Sequence, residues 1–226
     1  TLDAIVAYQA AFLRKPDGVI DPGGTTWKHL SASYTGAVTD APGETTALTR
    51  PVPRPATSSI NIGLESAGND FMLLKLGQPR DAGYSTLCQP PTHARLRRNF
   101  VTDTVGPFRV TGLVPAVLSL KDVMNDIHAE QPAVYRALGS AGMLCCRLVR
   151  GSTTSISNHS WGTAIDLTIN GVLDVYGNDT VQHGLTLIAP IFNRHGWYWG
   201  AGFRTEDGMH FECSKDLLGK CAQGLA

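Results

Sequence analysis

The chain has 226 residues, 42% of them hydrophobic, and its 19 basic residues balance its 19 acidic residues. This length supports one sizeable core with a small additional unit, and the balanced charge excludes a protein that binds nucleic acid or anionic membranes through bulk charge. No apolar run reaches 18 residues, so no membrane span is predicted. The first residues, Thr1-Leu2-Asp3, lack the basic and then apolar pattern of a signal peptide. We therefore expect a processed chain, or one that leaves the cytoplasm by another route.

Residues 1–31 are predicted to form a separate small helical unit. Apolar residues from Leu2 to Phe12 follow helical spacing, and two turns rich in Pro, Asp and Gly come next. The pattern AIVAYQAAFLRKPDGVIDPGGTTWKHL resembles the second half of a helical peptidoglycan-binding domain. That resemblance implies a glycan-binding role. The alternative is a helix that only packs on the main domain, and the sequence leaves both open.

Residues 32–61 are rich in Thr, Ala, Pro and Gly, a composition typical of an extended linker with little capacity to form a core. Apolar content returns near residue 62, so residues 62–226 are predicted to form the main domain.

The main domain is predicted to be α+β, with a small antiparallel sheet and flanking helices, preceded by the short helical N-terminal segment. Helices are expected from Leu120 and, after Pro132, up to Leu138, because apolar residues recur at helical spacing there. The remaining expected elements are strands over Met143–Val149, Ala164–Ile169, Trp197–Phe203 and Met209–Cys213 and a helix over Val181–Arg194.

The five cysteines do not have the spacing of a structural metal site, because no C-x-x-C pair is present. Cys213 and Cys221 could form a disulfide in an oxidising compartment. Buried free thiols are the alternative, and the sequence does not decide between them.

Two segments combine a histidine with a carboxylate at the edges of predicted strands: SNHSWGTAID at 157–166 and EDGMHFE at 206–212. Catalytic zinc takes three ligands from His and Asp or Glu and leaves a fourth position open. His159, Asp166 and His210 supply such a set, and strand alternation allows Asp166 and His210 to face one pocket. Gly162 would let the chain bend so that His159 reaches the same metal. By spacing alone, a His or Asp at the end of a strand is more often a surface or core residue with its hydrogen bonds satisfied.

The segment SNHSWGTAIDL resembles the S-x-H-x-x-G-x-A-x-D motif of the zinc peptidases that include D-Ala-D-Ala carboxypeptidases, L-Ala-D-Glu endopeptidases, VanY-like enzymes and phage endolysins. DGMHFE is similar to that family's second motif. The resemblance, over about residues 100–215, implies a Hedgehog/DD-peptidase-like fold and Zn²⁺ held by His159, Asp166 and His210. It also implies Asp207 as the general base, with Glu206 as the alternative.

The same resemblance implies a catalytic arginine near the substrate, for which Arg147 and Arg150 are candidates. On a regular strand these two would face opposite ways, and Arg147 is preferred. Ser152, Ser157 and Trp161 are candidate substrate-binding residues, although an exposed loop for the serines and an aromatic core position for Trp161 are the alternatives.

The implied function is a zinc-dependent hydrolase of peptidoglycan stem peptides, either a carboxypeptidase that removes terminal D-Ala or an endopeptidase. We expect an extracytoplasmic, lytic, antibacterial role, as in a phage endolysin or a secreted toxin. A non-catalytic zinc-containing module that binds the cell wall is the alternative, and an acidic residue at 207 argues against it. The sequence does not identify an immunity or delivery partner.

Overall fold

The computed structural model describes residues 2–13, 15–18, 26, 47–81 and 83–225. The chain divides into two compact units, Thr1–Gly43 and Glu44–Ala226. Helix α1, Leu2–Gln9, belongs to the first unit and lies within the predicted helical segment. The predicted turn at 21–24 and, apart from Thr26, the predicted helix from Thr25 lie outside the described residues. Within the described ranges, no helix has the length and apolar character to cross a membrane.

Gln9 organises the described part of the first unit. Its side chain is fully buried, and Nε2 donates to Asp17 Oδ1 and Thr26 Oγ1, at 2.9 Å each. Its Oε1 accepts from the backbone N–H groups of Asp17 and Gly18, at 3.0 and 2.7 Å. A buried amide is stable only when its donors and acceptor are paired, so this one side chain fixes the turn onto the end of α1.

Residues 47–61, which composition assigns to a linker, contain regular structure in the second unit. Strand β1, Pro51–Pro53, pairs antiparallel with residues 180–182. The amide of Asn61 is buried and exchanges hydrogen bonds with the side chain of Asn193 and the backbone of Trp199. The second unit therefore begins before residue 62, while residues 32–46 of the predicted linker lie outside the described residues.

The elements of the second unit alternate irregularly along the chain. The helices whose full bounds lie within the described residues are α2 Asn69–Leu76, α3 Ala94–Arg98, α4 Val114–Glu130, α5 Pro132–Ala137, α6 His183–Arg194 and α7 Lys215–Gln223. After β1, the strands are β2 Phe100–Val105, β3 Phe108–Leu113, β4 Leu138–Gly142, β5 Ala164–Ile169, β6 Val172–Leu173, β7 Thr180–Gln182, β8 Trp197–Trp199 and β9 His210–Cys213. Short 3-10 helices lie at Thr57–Ser59, Asn158–Trp161 and Gly200–Gly202.

The central sheet is antiparallel, with the strand order β4-β5-β9-β8 and with β6 added to β5. Strands β2 and β3 form a separate hairpin, and β1 and β7 a separate pair. This arrangement confirms the predicted α+β class with a small antiparallel sheet and flanking helices.

One face of the central sheet packs into the hydrophobic core. Ile165, Leu167 and Phe211 are fully buried on β5 and β9. Phe211 stacks on Phe192 of α6 at a centroid distance of 4.0 Å, and the ring of Trp199 is nearly parallel to that of Phe211 at a centroid distance of 6.0 Å. Because neighbouring side chains on a strand point to opposite faces, this packing directs Asp166, His210 and Glu212 to the other face of the sheet.

The predicted strand over Met143–Val149 is wrong. Its backbone groups bind several partners instead of one neighbouring strand: Cys145 N–H donates to His159 O, and isolated bridges join Cys146 to Gln89 and Leu148 to Ile156. The segment therefore follows the edge of the 3-10 helix that carries His159, and a regular ladder cannot form.

The predicted helix over Val181–Arg194 begins later, at His183, because Thr180–Gln182 pair with β1. The predicted strand Trp197–Phe203 ends at Trp199, where a 3-10 turn begins.

Cys88 and Cys145 form a disulfide, whereas Cys146, Cys213 and Cys221 are free and buried. The buried-thiol alternative therefore describes Cys213 and Cys221 in this structure.

Candidate metal centre and active-site cleft

Three elements bring His159, Asp166 and His210 together. His159 lies in the 3-10 helix Asn158–Trp161, Asp166 lies on β5, and His210 begins β9. Asp166 and His210 are directly opposite each other in the antiparallel register. Cross-strand neighbours on one face lie within side-chain reach, so the register itself places the carboxylate beside the imidazole.

Gly162 ends the 3-10 helix in the left-handed conformation, with φ of 62°. A Cβ at this position would lie 2.8 Å from the backbone of Gly112 and Leu113, and Leu113 N–H donates to Gly162 O at 3.0 Å. Glycine adopts this conformation readily, and its lack of a Cβ allows so close a backbone approach. The bend returns the chain from His159 to β5, as the sequence suggests.

The inward-facing ligand atoms form a compact triangle. His159 Nε2 lies 3.2 Å from both Asp166 Oδ1 and His210 Nδ1, and His210 Nδ1 lies 3.1 Å from Asp166 Oδ1. Ligands about 2.0–2.2 Å from a tetrahedral zinc ion lie about 3.3–3.5 Å from one another. The donor set could therefore hold a metal ion, and its spacing is close to, and slightly shorter than, the spacing expected around zinc.

Each imidazole already uses its outward nitrogen. His159 Nδ1 lies 3.1 Å from the carbonyl oxygen of Met143, which can only accept, so this nitrogen carries the proton. His210 Nε2 lies 3.0 Å from Glu212 Oε2 in the same manner. In the neutral rings, the inward nitrogens are therefore lone-pair donors aimed at a carboxylate oxygen. Two lone pairs that face a negatively charged oxygen repel it, so this arrangement of His159, His210 and Asp166 is stable only with a cation between them, either a proton or a metal ion.

Glu212 anchors His210 to the protein. This buried carboxylate accepts from Asn158 Nδ2 at 2.8 Å and from Ser66 Oγ at 2.6 Å, besides facing His210. Asn158 Nδ2 also donates to the carbonyl oxygen of Ala67. Hydrogen bonds from the polypeptide thus fix the orientation of the carboxylate, and the carboxylate in turn fixes the imidazole.

Asp166 and His210 shift each other's pKa through their hydrogen bond and opposite charges. Burial would raise the pKa of Asp166, but hydrogen bonds and charge from His159 and His210 outweigh it and hold the pKa well below its usual range. Burial would lower the pKa of His210, but hydrogen bonds to Asp166 and Glu212 raise it to about 10. Without metal, a proton on His210 supplies the cation that the site requires.

A cleft of about 480 Å³ opens beside the three ligand residues, and Asp207 lines it. Burial raises the pKa of Asp207, while the imidazole of His210 lowers it and the charge of Asp166 raises it. Its Oδ1 is buried and has no hydrogen-bond partner among the described residues. The carboxylate therefore lines the cleft without a described hydrogen-bond donor at Oδ1, as a candidate general base requires.

Glu206 has a different role. It is 2% exposed, and its Oε1 accepts from the backbone N–H groups of Asn178 and Asp179. It is not among the residues that line the cleft. Glu206 therefore holds the turn before β7, and the structure favours Asp207 over Glu206 as the candidate base.

Arg147 and Arg150 both line the cleft, contrary to the expectation that only one would face it. That expectation assumed a regular strand, which this segment does not form. Arg147 donates from its guanidinium to the carbonyl oxygen of Leu148, and the positive charge of Arg150 lowers the pKa of Asp207. The preference for Arg147 therefore loses its basis, because Arg150 acts electrostatically on the candidate base.

The three candidate substrate-binding residues have different positions. Ser157 is buried, lines the cleft and precedes the 3-10 helix of His159. Ser152 does not line the cleft, and its Oγ accepts from the backbone N–H groups of Thr154 and Ser155 within a turn. Trp161 is fully buried and donates to Gly77 O at 2.8 Å, so it belongs to the core. Of the three, only Ser157 lies where it could contact a substrate.

Sequence reasoning missed several residues of the site. Met143 acts through its backbone carbonyl, and Ser66 comes from a segment about 90 residues before His159, so neither leaves a signal in a local motif. Tyr176 and Phe203 line the cleft, and the ring of Phe203 lies 5.7 Å from that of His210. An aromatic residue in a loop gives no sequence pattern that distinguishes a cleft wall from a core position.

A further unpredicted carboxylate, Asp174, lies behind the loop of Asp207. Its Oδ1 accepts from Gln182 N at 2.9 Å, and it packs so closely on Gly208 that a Cβ there would clash. Burial raises its pKa to about 6, and the charges of Asp207 and Glu206 act in the same direction. Because residue 208 is glycine, the chain that joins Asp207 to His210 can run directly past the carboxylate of Asp174.

Residues 150–213 match the family model described as D-alanyl-D-alanine carboxypeptidase. This match confirms the family resemblance. The matched segment contains His159, Asp166, Asp207 and His210, and it supports a peptidase whose His-Asp-His group could hold a metal ion. No curated protein and no solved structure matches the chain significantly.

Proposed function

We propose that this protein is a zinc metallopeptidase that hydrolyses peptide bonds in the stem peptides of bacterial peptidoglycan. The observation that carries the proposal is the triangle of His159 Nε2, Asp166 Oδ1 and His210 Nδ1, with both outward ring nitrogens already engaged. The match of residues 150–213 to a family described as D-alanyl-D-alanine carboxypeptidase supports the reaction class and a substrate that contains D-alanine, as stem peptides do.

A bound zinc ion would lower the pKa of a coordinated water molecule and polarise the scissile carbonyl group. The carboxylate of Asp207, which lines the cleft, would accept the water proton and later deliver it to the leaving amine. Burial favours this role, because a raised pKa brings the carboxylate closer to the pH at which it must exchange protons.

Arg147 and Arg150 would bind the negatively charged oxygen atoms of the substrate. Both line the cleft, and within the described part of the chain neither forms an ion pair with an acidic side chain. Guanidinium groups suit carboxylate and developing oxyanion geometry, since they present several N–H donors in one plane. Ser157 would add a hydrogen bond from the cleft wall.

The proposal includes a site of action outside the cytoplasm, in the periplasm or cell wall, because that is where the substrate is found. It covers both a carboxypeptidase that removes terminal D-Ala and an endopeptidase that cuts within the stem. A lytic, antibacterial use and glycan binding by residues 1–31 are parts of the same proposal.

The test is hydrolysis of soluble stem peptides by the zinc-loaded protein and by Asp207→Ala, with the zinc content of both measured. We expect the wild type to cleave a stem peptide, and Asp207→Ala to retain zinc and to lose cleavage. A non-catalytic zinc module would cleave nothing while still holding zinc. Full activity in zinc-loaded Asp207→Ala would refute the role given to the carboxylate.

A further inference from the structure

A second cavity adjoins the cleft and has no role in the chemistry described above. Its volume is about 510 Å³, and it meets the cleft at Asn69, Ser155 and Ile156, which line both spaces. The segment 147–157 separates the rest of the two spaces, because Arg147 and Val149 face the cleft whereas Leu148 faces the second cavity. The two spaces therefore lie side by side on the two sides of this border.

The border between the two cavities is rigid. Asn69 Nδ2 donates to Ile156 O at 2.6 Å, and Asn69 Oδ1 accepts from Ile156 N at 2.5 Å. This paired contact fixes the first residue of α2 to the chain that leads into the 3-10 helix of His159. The second cavity thus keeps a fixed position relative to the metal ligands.

The two spaces differ in their charged groups. The cleft is lined by three arginines and three carboxylates, Arg147, Arg150, Arg204, Asp166, Asp207 and Glu212, whereas the charged residue of the second cavity is Asp70. Asp70 is exposed and forms no ion pair within the described ranges. The rest of the lining is neutral, with hydroxyl and amide groups beside an apolar floor: Leu73, Gln78, Tyr84, Leu148, Thr153 and Thr154.

We propose that the second cavity is a substrate-binding subsite for the part of a peptide that lies away from the scissile bond, and that it takes a side chain with an amino group. The apolar floor would contact the alkyl chain, and Asp70 would pair with the terminal ammonium group. A peptide of several residues, with carboxylates toward the arginines and an amine toward Asp70, matches the charges of both spaces. This inference rests on the proposed function.

The test compares two soluble pentapeptide stems that differ only in the lysine side chain, which is free in one and Nε-acetylated in the other. The zinc-loaded wild type is expected to cleave the free-amine peptide with a kcat/KM about two- to fivefold higher, the range that an exposed ion pair supplies. Asp70→Asn should abolish this preference. The matched control is Asp122→Asn, since Asp122 is exposed on α4 and lines neither cavity, and it should keep the preference.

A second variant tests occupancy without relying on charge. Thr154 is exposed at the second cavity, so Thr154→Trp fills the space without disturbing the core, and it should raise KM for the pentapeptide about tenfold. The control is Asn125→Trp on the exposed face of α4, which should keep the wild-type KM.

The outcomes separate the two proposals. Equal cleavage of both peptides by the wild type, an undiminished preference in Asp70→Asn, or a wild-type KM in Thr154→Trp would overturn the subsite while leaving the proposed function standing. Cleavage of neither peptide by the zinc-loaded wild type would overturn the proposed function and the subsite with it.

Discussion

Replacing Glu212 by glutamine is expected to weaken zinc binding although residue 212 is not a ligand in the proposed site. Glu212 accepts three hydrogen bonds, from His210 Nε2, Asn158 Nδ2 and Ser66 Oγ, at 3.0, 2.8 and 2.6 Å. The amide of glutamine offers one oxygen and one NH₂ group in place of two acceptor oxygens. One of the buried donors therefore faces another donor, and the orientation of His210 is no longer fixed.

Both zinc affinity and the stability of the metal-free protein should fall. Loss of the group that orients a metal-bound histidine lowers metal affinity about 10- to 100-fold, which corresponds to about 1.4–2.7 kcal/mol. The metal-free protein should also lose stability, because a buried donor without an acceptor costs about 1–3 kcal/mol. Glu212→Ala removes the acceptor from all three donors, His210, Asn158 and Ser66, so its loss of stability should be about two to three times as large.

Zinc affinity is measured by competition with a chromophoric chelator, and the free energy of unfolding by urea denaturation of the metal-free protein. The control is Glu65→Gln, since Glu65 is exposed and pairs only with Lys215 among the described residues, at 2.6 Å. Wild-type zinc affinity in Glu212→Gln would refute the role given to this carboxylate. Equal losses in Glu65→Gln would show that the effect does not come from the contact with His210.

Further changes test other parts of the structure. Asp207→Asn should lower kcat about 10²- to 10⁴-fold and leave zinc affinity within threefold of wild type, measured by peptide hydrolysis and chelator competition. Zinc binding at pH 7 should release about one proton, because the pKa of His210 is raised to about 10 in the metal-free protein and Nδ1 must lose its proton to bind zinc. Calorimetry in two buffers of different ionisation enthalpy measures the number of protons released. This number should fall toward zero above about pH 11. Gly162→Ala should lower the free energy of unfolding by at least about 1–3 kcal/mol in urea denaturation, since φ is 62° and a Cβ would meet Gly112. Gln9→Ala should accelerate proteolysis between residues 10 and 18 relative to the rest of the chain, as it removes the contacts that hold this turn.

The sequence predicted the parts of the fold that depend on local patterns. Strand Ala164–Ile169 has the predicted bounds, because alternation and β-branched residues occur together in a buried strand. Asp166 and His210 face one side of the sheet for the same reason, since alternation fixes the face once the strand is known. These features need no information from distant parts of the chain.

Features that depend on distant contacts were not predictable in this way. Met143–Val149 has the apolar character of a buried strand, yet its hydrogen bonds lead to Gln89, Ile156 and His159, which no local pattern reveals. Pro51–Pro53 looks like linker by composition, but it pairs with a strand almost 130 residues later. Prolines are compatible with an edge strand, so composition alone could not exclude pairing.

Digestion of purified peptidoglycan, with mass analysis of the released products, tests the central claim most directly. The zinc-loaded protein should release fragments from cleaved stem peptides, a chelator should abolish their release, and added zinc should restore it. The masses also identify the bond that is cut. Intact stem peptides after incubation with the zinc-loaded protein, or cleavage that persists in the chelator, would contradict the account.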